Sequence, residues 1–116
     1  MTIQLYGIPN CDTVKKARTW LDAQGLAYQF HDYKKEGADT AKVAGWVEQA
    51  GLDTVLNTRG TTFRKLSDAE KAQAGDPAMA VRLMVANPST IKRPVVEHPG
   101  GLLVGFKPDE WTAALK

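Results

Sequence analysis

Two hydrophobic periods alternate along this chain, and the points where one gives way to the other mark its elements. "TIQLY", roughly residues 2–6, is a short β-like run, and "GIPN" after it is turn chemistry punctuated by Gly7 and Pro9. From Asp12 the apolar positions Val14, Ala17 and Leu21 recur at three and four residues, while Lys15, Lys16, Arg18 and Asp22 fall elsewhere. That spacing draws one apolar stripe along a helix, which Gly25 ends. In "AYQFHDY", Tyr28 and Phe30 alternate with Gln29 and His31, the two-residue period of a strand. The opening therefore reads β-α-β, a unit whose two strands run parallel.

"KKEGAD" predicts a loop. Val43, Trp46, Val47 and Ala50 form one stripe and predict a helix over Thr40–Ala50. "LDTVLNTRGTTFRKL" has no period and predicts an irregular connection centred on Gly60. Ser67 and Glu70 frame a capping box, so a short helix begins there. Asp76-Pro77 starts another, carrying Met79, Leu83 and Met84 and ending before Asn87-Pro88. "RPVVEH", "PGG" and "LLVGF" then make a β-hairpin pattern. Lys107-Pro108-Asp109-Glu110 opens a last helix with Trp111 and Leu115 on its inner face. The expected fold class is α/β, with one mixed sheet in the order β-α-β … β-β-α and helices packed against it.

Composition narrows the class. At 116 residues, with 43% hydrophobic and 24% charged side chains, the chain reads as one soluble domain over residues 1–116. It is long enough to bury a core without metal or disulfide staples. A net charge of +2 implies no strong field for nucleic acid or membrane. The charge is uneven: residues 1–58 hold six basic and seven acidic side chains, residues 59–116 nine and six. Any anion site is expected to draw on the second half. No stretch is long and apolar enough to span a bilayer, and "MTIQLYGIPN" lacks the basic-then-apolar pattern of a signal peptide. A single cysteine forms no internal disulfide, which fits a reducing cytoplasm.

That cysteine, Cys11, falls at the predicted N-terminus of the first helix. Free backbone N–H groups and the positive end of the helix dipole favour a thiolate there, and the thiolate is the reactive form. Lys15 and Lys16 add positive charge a turn away; Asp12 works against it. A buried, inert thiol is the common fate of a lone cysteine, yet loops that follow strands in open α/β sheets are where ligands bind. "CDTV" places Val14 where a dithiol redox helix carries its second cysteine. If Cys11 reacts, the resolving thiol must therefore come from glutathione or from a thiol protein. In "IKRPVV", Pro94 either starts an edge strand or takes the cis form beside the thiol, leaving the preceding backbone open to a bound peptide or glutathione. His31 and His98 have no metal-ligand spacing with Cys11 or each other, so no metal site is expected. Trp20, Trp46 and Trp111 lie at helical core spacing, and Gly100-Gly101 is a turn.

"LYGIPNCDTVKKARTWL", "FHDYKKEG", "LNTRGTTFRKL", "PSTIKRPVVE" and "LLVGFKP", in that order across the chain, resemble the ArsC family, closest to its YffB-like branch, with Spx a more distant cousin. The resemblance implies a thioredoxin-like sheet with a helical insertion, roughly residues 39–88, between its halves. It implies that Cys11 is the nucleophile and that Arg93-Pro94 faces it with a cis bond. In arsenate reductases of this family the cysteine attacks arsenate and arginines hold the oxyanion. Arg93 matches one of those arginines. Arg59 is offset from another, and Lys107 stands where a third belongs, keeping charge but losing the bidentate fork.

The YffB-like branch is associated with glutathione-dependent thiol reduction. The expected function is a cytoplasmic monothiol oxidoreductase with glutathione as co-substrate and no bound cofactor. Its ligand-binding candidates are Asn10, Lys15, Arg59, Arg93, Pro94 and Lys107. The substrate is a disulfide or a small oxyanion, with glutaredoxin as a further partner. Two alternatives accompany it: an arsenate reductase coupled to glutathione or glutaredoxin, and an Spx-like RNA polymerase-binding regulator in which Val14 removes the Cys-x-x-Cys switch.

Overall fold

The computed structural model describes residues 3–116, so the predicted strand start at Thr2 lies outside the described residues. Two compact units divide the chain. One ends at Lys35 and resumes at Arg93–Lys116; the other is Glu36–Lys92.

Strand β1 (Ile3–Gly7) leads through a turn into α1 (Asp12–Ala23), then β2 (Tyr28–Asp32). The two strands pair in parallel, from Ile3 opposite Tyr28 to Gly7 opposite Asp32. The stripe predicted for α1 is the one buried: Val14, Ala17 and Leu21 have no exposed surface. Together with Ile3, Leu5, Val96 and Trp111 they form the core of the sheet unit. β1 meets α1 at close quarters. A Cβ on Gly7 would stand 2.8 Å from Cγ2 of Val14, so only glycine lets the strand end pass the first turn of the helix. After Ala23 the chain turns at Gly25, whose φ of +69° is the left-handed conformation that favours glycine.

The predicted loop after β2 instead holds a single helical turn, α2 (Tyr33–Glu36). Its cause is local: the Asp32 carboxylate accepts the N–H groups of Lys34 and Lys35, at 3.0 and 3.2 Å, and so acts as the cap of that turn.

In the Glu36–Lys92 unit, α3 (Thr40–Ala50) matches its predicted span, capped by Asp39 accepting the Lys42 N–H at 3.0 Å. The segment expected to be irregular carries two single turns, α4 (Leu52–Val55) and α5 (Thr61–Arg64). It is anchored by an antiparallel bridge between Leu56 and Ile91, with Asn57 N–H donating to the Thr90 carbonyl at 2.8 Å. The capping box at Ser67 starts α6 (Asp68–Gln73), and Asp76 caps α7 (Pro77–Ala86). Helices α3 and α7 pack together. Met79 departs from expectation: it is 41% exposed, because the buried positions of α7 are Ala80, Val81, Leu83 and Met84. A 3-10 turn, Pro88–Thr90, closes the unit.

The hairpin is β3 (Val95–His98) and β4 (Gly101–Val104), followed by α8 (Pro108–Leu115). β4 ends one residue before Gly105, whose N–H reaches back to the Pro94 carbonyl at 2.8 Å. The sheet order is β2-β1-β3-β4, with β3 antiparallel to both neighbours. This is the mixed α/β architecture that the sequence implied. Trp111 anchors α8: it is 1% exposed, its Nε1 donates to the Gly105 carbonyl at 3.0 Å, and its ring meets Phe106 and Trp20 edge-on. No helix among the described residues is long and apolar enough to cross a membrane.

Candidate active site

Cys11 is the N-cap residue of α1, with extended backbone at φ −82° and ψ 125°. Its position is fixed on both sides. The Cys11 N–H donates to the Ile8 carbonyl at 3.1 Å, and the Cys11 carbonyl accepts from Lys15 N–H at 3.0 Å, the first bond of the helix. The thiol is half-buried. Partial burial acts to raise its pKa, but this is outweighed. The backbone N–H groups of Val14 and Thr13 favour the ionised sulfur, as do the charge and hydrogen-bonding side chain of Arg93, and the pKa falls below its ordinary value. The neutral thiol forms no capping hydrogen bond of its own; the two amides act chiefly on the thiolate, which is the stronger acceptor.

Arg93 comes from the far end of the chain, and its peptide bond to Pro94 is cis. Pro94 is buried, and its carbonyl is held by Gly105 N–H. The start of the hairpin is therefore tied down on the side where Arg93 reaches the thiol.

A third side chain belongs to this group and is invisible in the sequence. Tyr33 is 2% exposed. Burial pushes its phenol well above the usual value, against the charge of Arg93 and with the charges of Cys11 and Asp32. Arg93 also hydrogen-bonds it. A phenol that stays protonated presents Arg93 with a neutral partner, so the arginine keeps its charge for the thiolate. The one available signal was topological. Cys11 and Tyr33 each follow the C-terminal end of one of two adjacent parallel strands, the edge where open α/β sheets place their ligands.

The other expected contacts are distributed differently. Asn10 is exposed in the turn just before Cys11, and Lys15 is exposed on α1. Lys107 is the N-cap residue of α8 and pairs with Glu110 at 3.5 Å in a solvent-exposed contact. Arg59 belongs to the Glu36–Lys92 unit, where its N–H donates to Asn57 Oδ1 at 3.1 Å. The two histidines have structural partners: His31 Nε2 donates to Gln4 Oε1 and its ring stacks on Tyr6, while His98 Nδ1 accepts from Gly100 N–H.

Comparison with known proteins agrees with this geometry. The ArsC family profile matches residues 6–114. A solved structure of a YFFB (PA3664) protein is 57% identical, covers 99% of this chain and 100% of its own, and superposes with a TM-score of 0.94. An arsenate reductase (ArsC) related protein from Brucella melitensis is 48% identical over 100% of this chain and 96% of its own, with a TM-score of 0.75. The global transcriptional regulator Spx of Streptococcus mutans is 26% identical, covering 97% of this chain and 82% of the regulator. A mixed four-stranded sheet of thioredoxin-like kind, a cysteine at the first helix cap and a profile match over nearly the whole length converge on one conclusion: the chain belongs to the ArsC family.

Proposed function

We propose that this protein is a monothiol oxidoreductase in which Cys11 is the nucleophile and glutathione the reductant. The observation that carries the reading is a thiol placed at the N-cap of a helix and within reach of the Arg93 side chain, in a chain with no second cysteine. The Cys11 thiolate attacks one sulfur of a disulfide, and the S–S bond breaks. One half leaves as a thiolate and takes a proton from water; the other stays joined to Cys11. A glutathione thiolate then attacks the Cys11 sulfur, releases the second thiol and leaves Cys11 bound to glutathione. A second glutathione attacks the glutathione sulfur, forming glutathione disulfide and restoring the Cys11 thiolate. Two electrons enter from two glutathione molecules and leave in two product thiols.

Arg93 holds the thiolate before attack and the leaving thiolate after it. Asn10 and Lys15, on either side of Cys11 in the chain, are the proposed contacts for the carboxylates of glutathione; Lys107 and Arg59 are secondary candidates. Such a cycle draws on a reduced thiol pool, which is that of the cytoplasm. Glutaredoxin is a further candidate reductant of the mixed disulfide.

The rate of Cys11 alkylation against pH tests the reading. A midpoint below the ~8.5 of a free cysteine, with protection by glutathione, is the expected result. Cys11→Ser should abolish glutathione-dependent turnover of a mixed disulfide, and retained turnover would sink the assignment.

The Brucella melitensis relative, described as arsenate reductase related, favours a second reading in which the same Cys11–Arg93 pair takes arsenate. Lys107, paired with Glu110 and lacking an arginine's fork, argues against it. Arsenate turnover coupled to glutathione and glutaredoxin separates the two.

A further inference from the structure

An open groove of about 480 Å³ runs along α1 from Lys15 to Ala23, starting one helical turn beyond Cys11, which does not itself line it. The groove's apolar lining is Trp20 and Phe106, two half-buried rings 6.3 Å apart and edge-on, together with Pro108. Lys15, Lys16, Thr19 and Ala23 of α1 complete the lining, with Lys16 one turn before Trp20 on the same helix face. Lys15 donates its N–H to the Cys11 carbonyl, so the groove begins one helical turn from the nucleophile and runs away from it.

Glutathione, whose carboxylates reach Lys15 in the proposed cycle, leaves the apolar part of this surface and Lys16 unaccounted for. It offers two carboxylates and no apolar side chain, and nothing in it would cover a Trp–Phe wall. That wall also has an internal reason to be where it is, since Trp20 and Phe106 both pack on Trp111. Core packing fixes their positions; it does not explain why their outer faces are left open beside two exposed lysines. An apolar wall beside two lysines is complementary to a ligand that joins an apolar group to an anion, and in a disulfide substrate that is an apolar side chain next to a carboxylate. Rings of this size prefer an aromatic partner, and lysines at the rim orient an acidic one.

We propose that the groove is the docking site for the polypeptide half of the disulfide substrate: a protein segment whose reacting cysteine is followed by an acidic and an aromatic or large aliphatic residue. This rests on the reading of Cys11 as nucleophile and assigns it a protein substrate, with glutathione confined to the reductive half of the cycle. In the first step the Cys11 thiolate attacks the peptide cysteine's sulfur, the S–S bond breaks, and the other half departs as its thiolate. The peptide is left joined to Cys11 with its flanking side chains along α1.

Two short peptides test this, each carrying one cysteine as the mixed disulfide with 5-thio-2-nitrobenzoate, whose release is read by absorbance. One has Glu and Phe after the cysteine, the other Lys and Ser. The Glu-Phe peptide should react about tenfold faster, the size expected from one aromatic contact plus one exposed ion pair. In Lys16→Glu the ratio of the two rates should collapse toward one or invert. The ratio is taken within each protein, so any change in thiol reactivity cancels. Equal rates for the two peptides, with both reacting, would overturn the groove and leave the nucleophile in place. An unchanged ratio in Lys16→Glu would overturn the charged rim and with it the proposal. Failure of both peptides while free thiols of similar pKa react would overturn the groove and the nucleophile together.

Discussion

The sheet unit joins strands from both ends of the chain, whereas the Glu36–Lys92 unit packs helices closed by one bridge, Leu56 with Ile91, and starts three of those helices with caps from their own side chains. In the first, β1 pairs with β3 and Arg93 reaches Cys11, so strand and site alike join the two ends of the sequence. In the second, Asp39, Ser67 and Asp76 each accept a backbone N–H two or three residues on. Long-range closure over-determines a few positions and so can hold a thiol and a guanidinium at fixed separation. Local capping organises a segment without fixing any distant pair. Every member of the Cys11–Arg93–Tyr33 group lies in the sheet unit.

The comparison breaks most severely at Trp111. Replacing it with Ala removes a ring that has 1% exposure and meets Trp20 at 5.9 Å and Phe106 at 4.9 Å. The expected loss is about 3–5 kcal/mol of folding stability, measured by urea denaturation. Trp111→Phe keeps much of the volume but leaves the Gly105 carbonyl without its 3.0 Å donor. It should cost about 1–3 kcal/mol. Equal losses in the two variants would show that the hydrogen bond, not the ring packing, holds α8.

Next comes Arg93. Its charge and hydrogen bond lower the Cys11 pKa, so Arg93→Ala should move the alkylation midpoint back toward that of a free cysteine and slow alkylation at neutral pH. Arg93→Lys should recover part of the shift, because the charge returns without the planar fork. The linkage to stability has a definite sign. An acid whose pKa is depressed in the folded state stabilises the fold fully above its unfolded pKa, and this is lost as pH falls through the folded value. Wild-type protein should therefore gain stability relative to Cys11→Ser as pH rises from neutrality past about 8.5. In the Arg93→Ala background that gain should shrink. A midpoint that stays put in Arg93→Ala would assign the activation to the helix amides alone.

The same contrast explains what could be read from the sequence. Helices α1 and α3, the capping box at Ser67 and the hairpin were legible because each is announced by neighbours: a stripe, a cap, a turn. Four-residue helices such as α4 and α5 are too short to show a period, so their segment read as irregular. Tyr33 read as the last residue of a strand, because the cap supplied by Asp32 looks like an ordinary acidic residue until the backbone is known. Cys11 stood out as the lone thiol after a Gly-Pro turn, and Arg93 through its Arg-Pro motif. Their mutual charge effect, and the phenol that joins them, depends on the parallel register of β1 and β2 and on the antiparallel pairing of β3, which no local pattern encodes. Lys15 and Lys16 are the cations nearest Cys11 in sequence, but the cation whose charge and hydrogen bond lower the thiol's pKa is Arg93, from the far end of the chain.

The smallest expected effect sharpens the comparison best. Ser67 accepts the Glu70 N–H at 3.1 Å, and Glu70 returns a bond to the Ser67 N–H at the same distance. Ser67→Ala removes the first of these and frees the first turn of α6, at a cost of about 1 kcal/mol. Both residues lie in the Glu36–Lys92 unit, and neither belongs to the Cys11 group. The alkylation midpoint of Cys11 should therefore stay where it is while the denaturation curve shifts. Protease sensitivity should rise around residues 65–75 before any change at the thiol is seen. Should the midpoint move along with stability, the locally capped unit would be coupled to the thiol, and the division between a unit that holds chemistry and a unit that holds itself would fail.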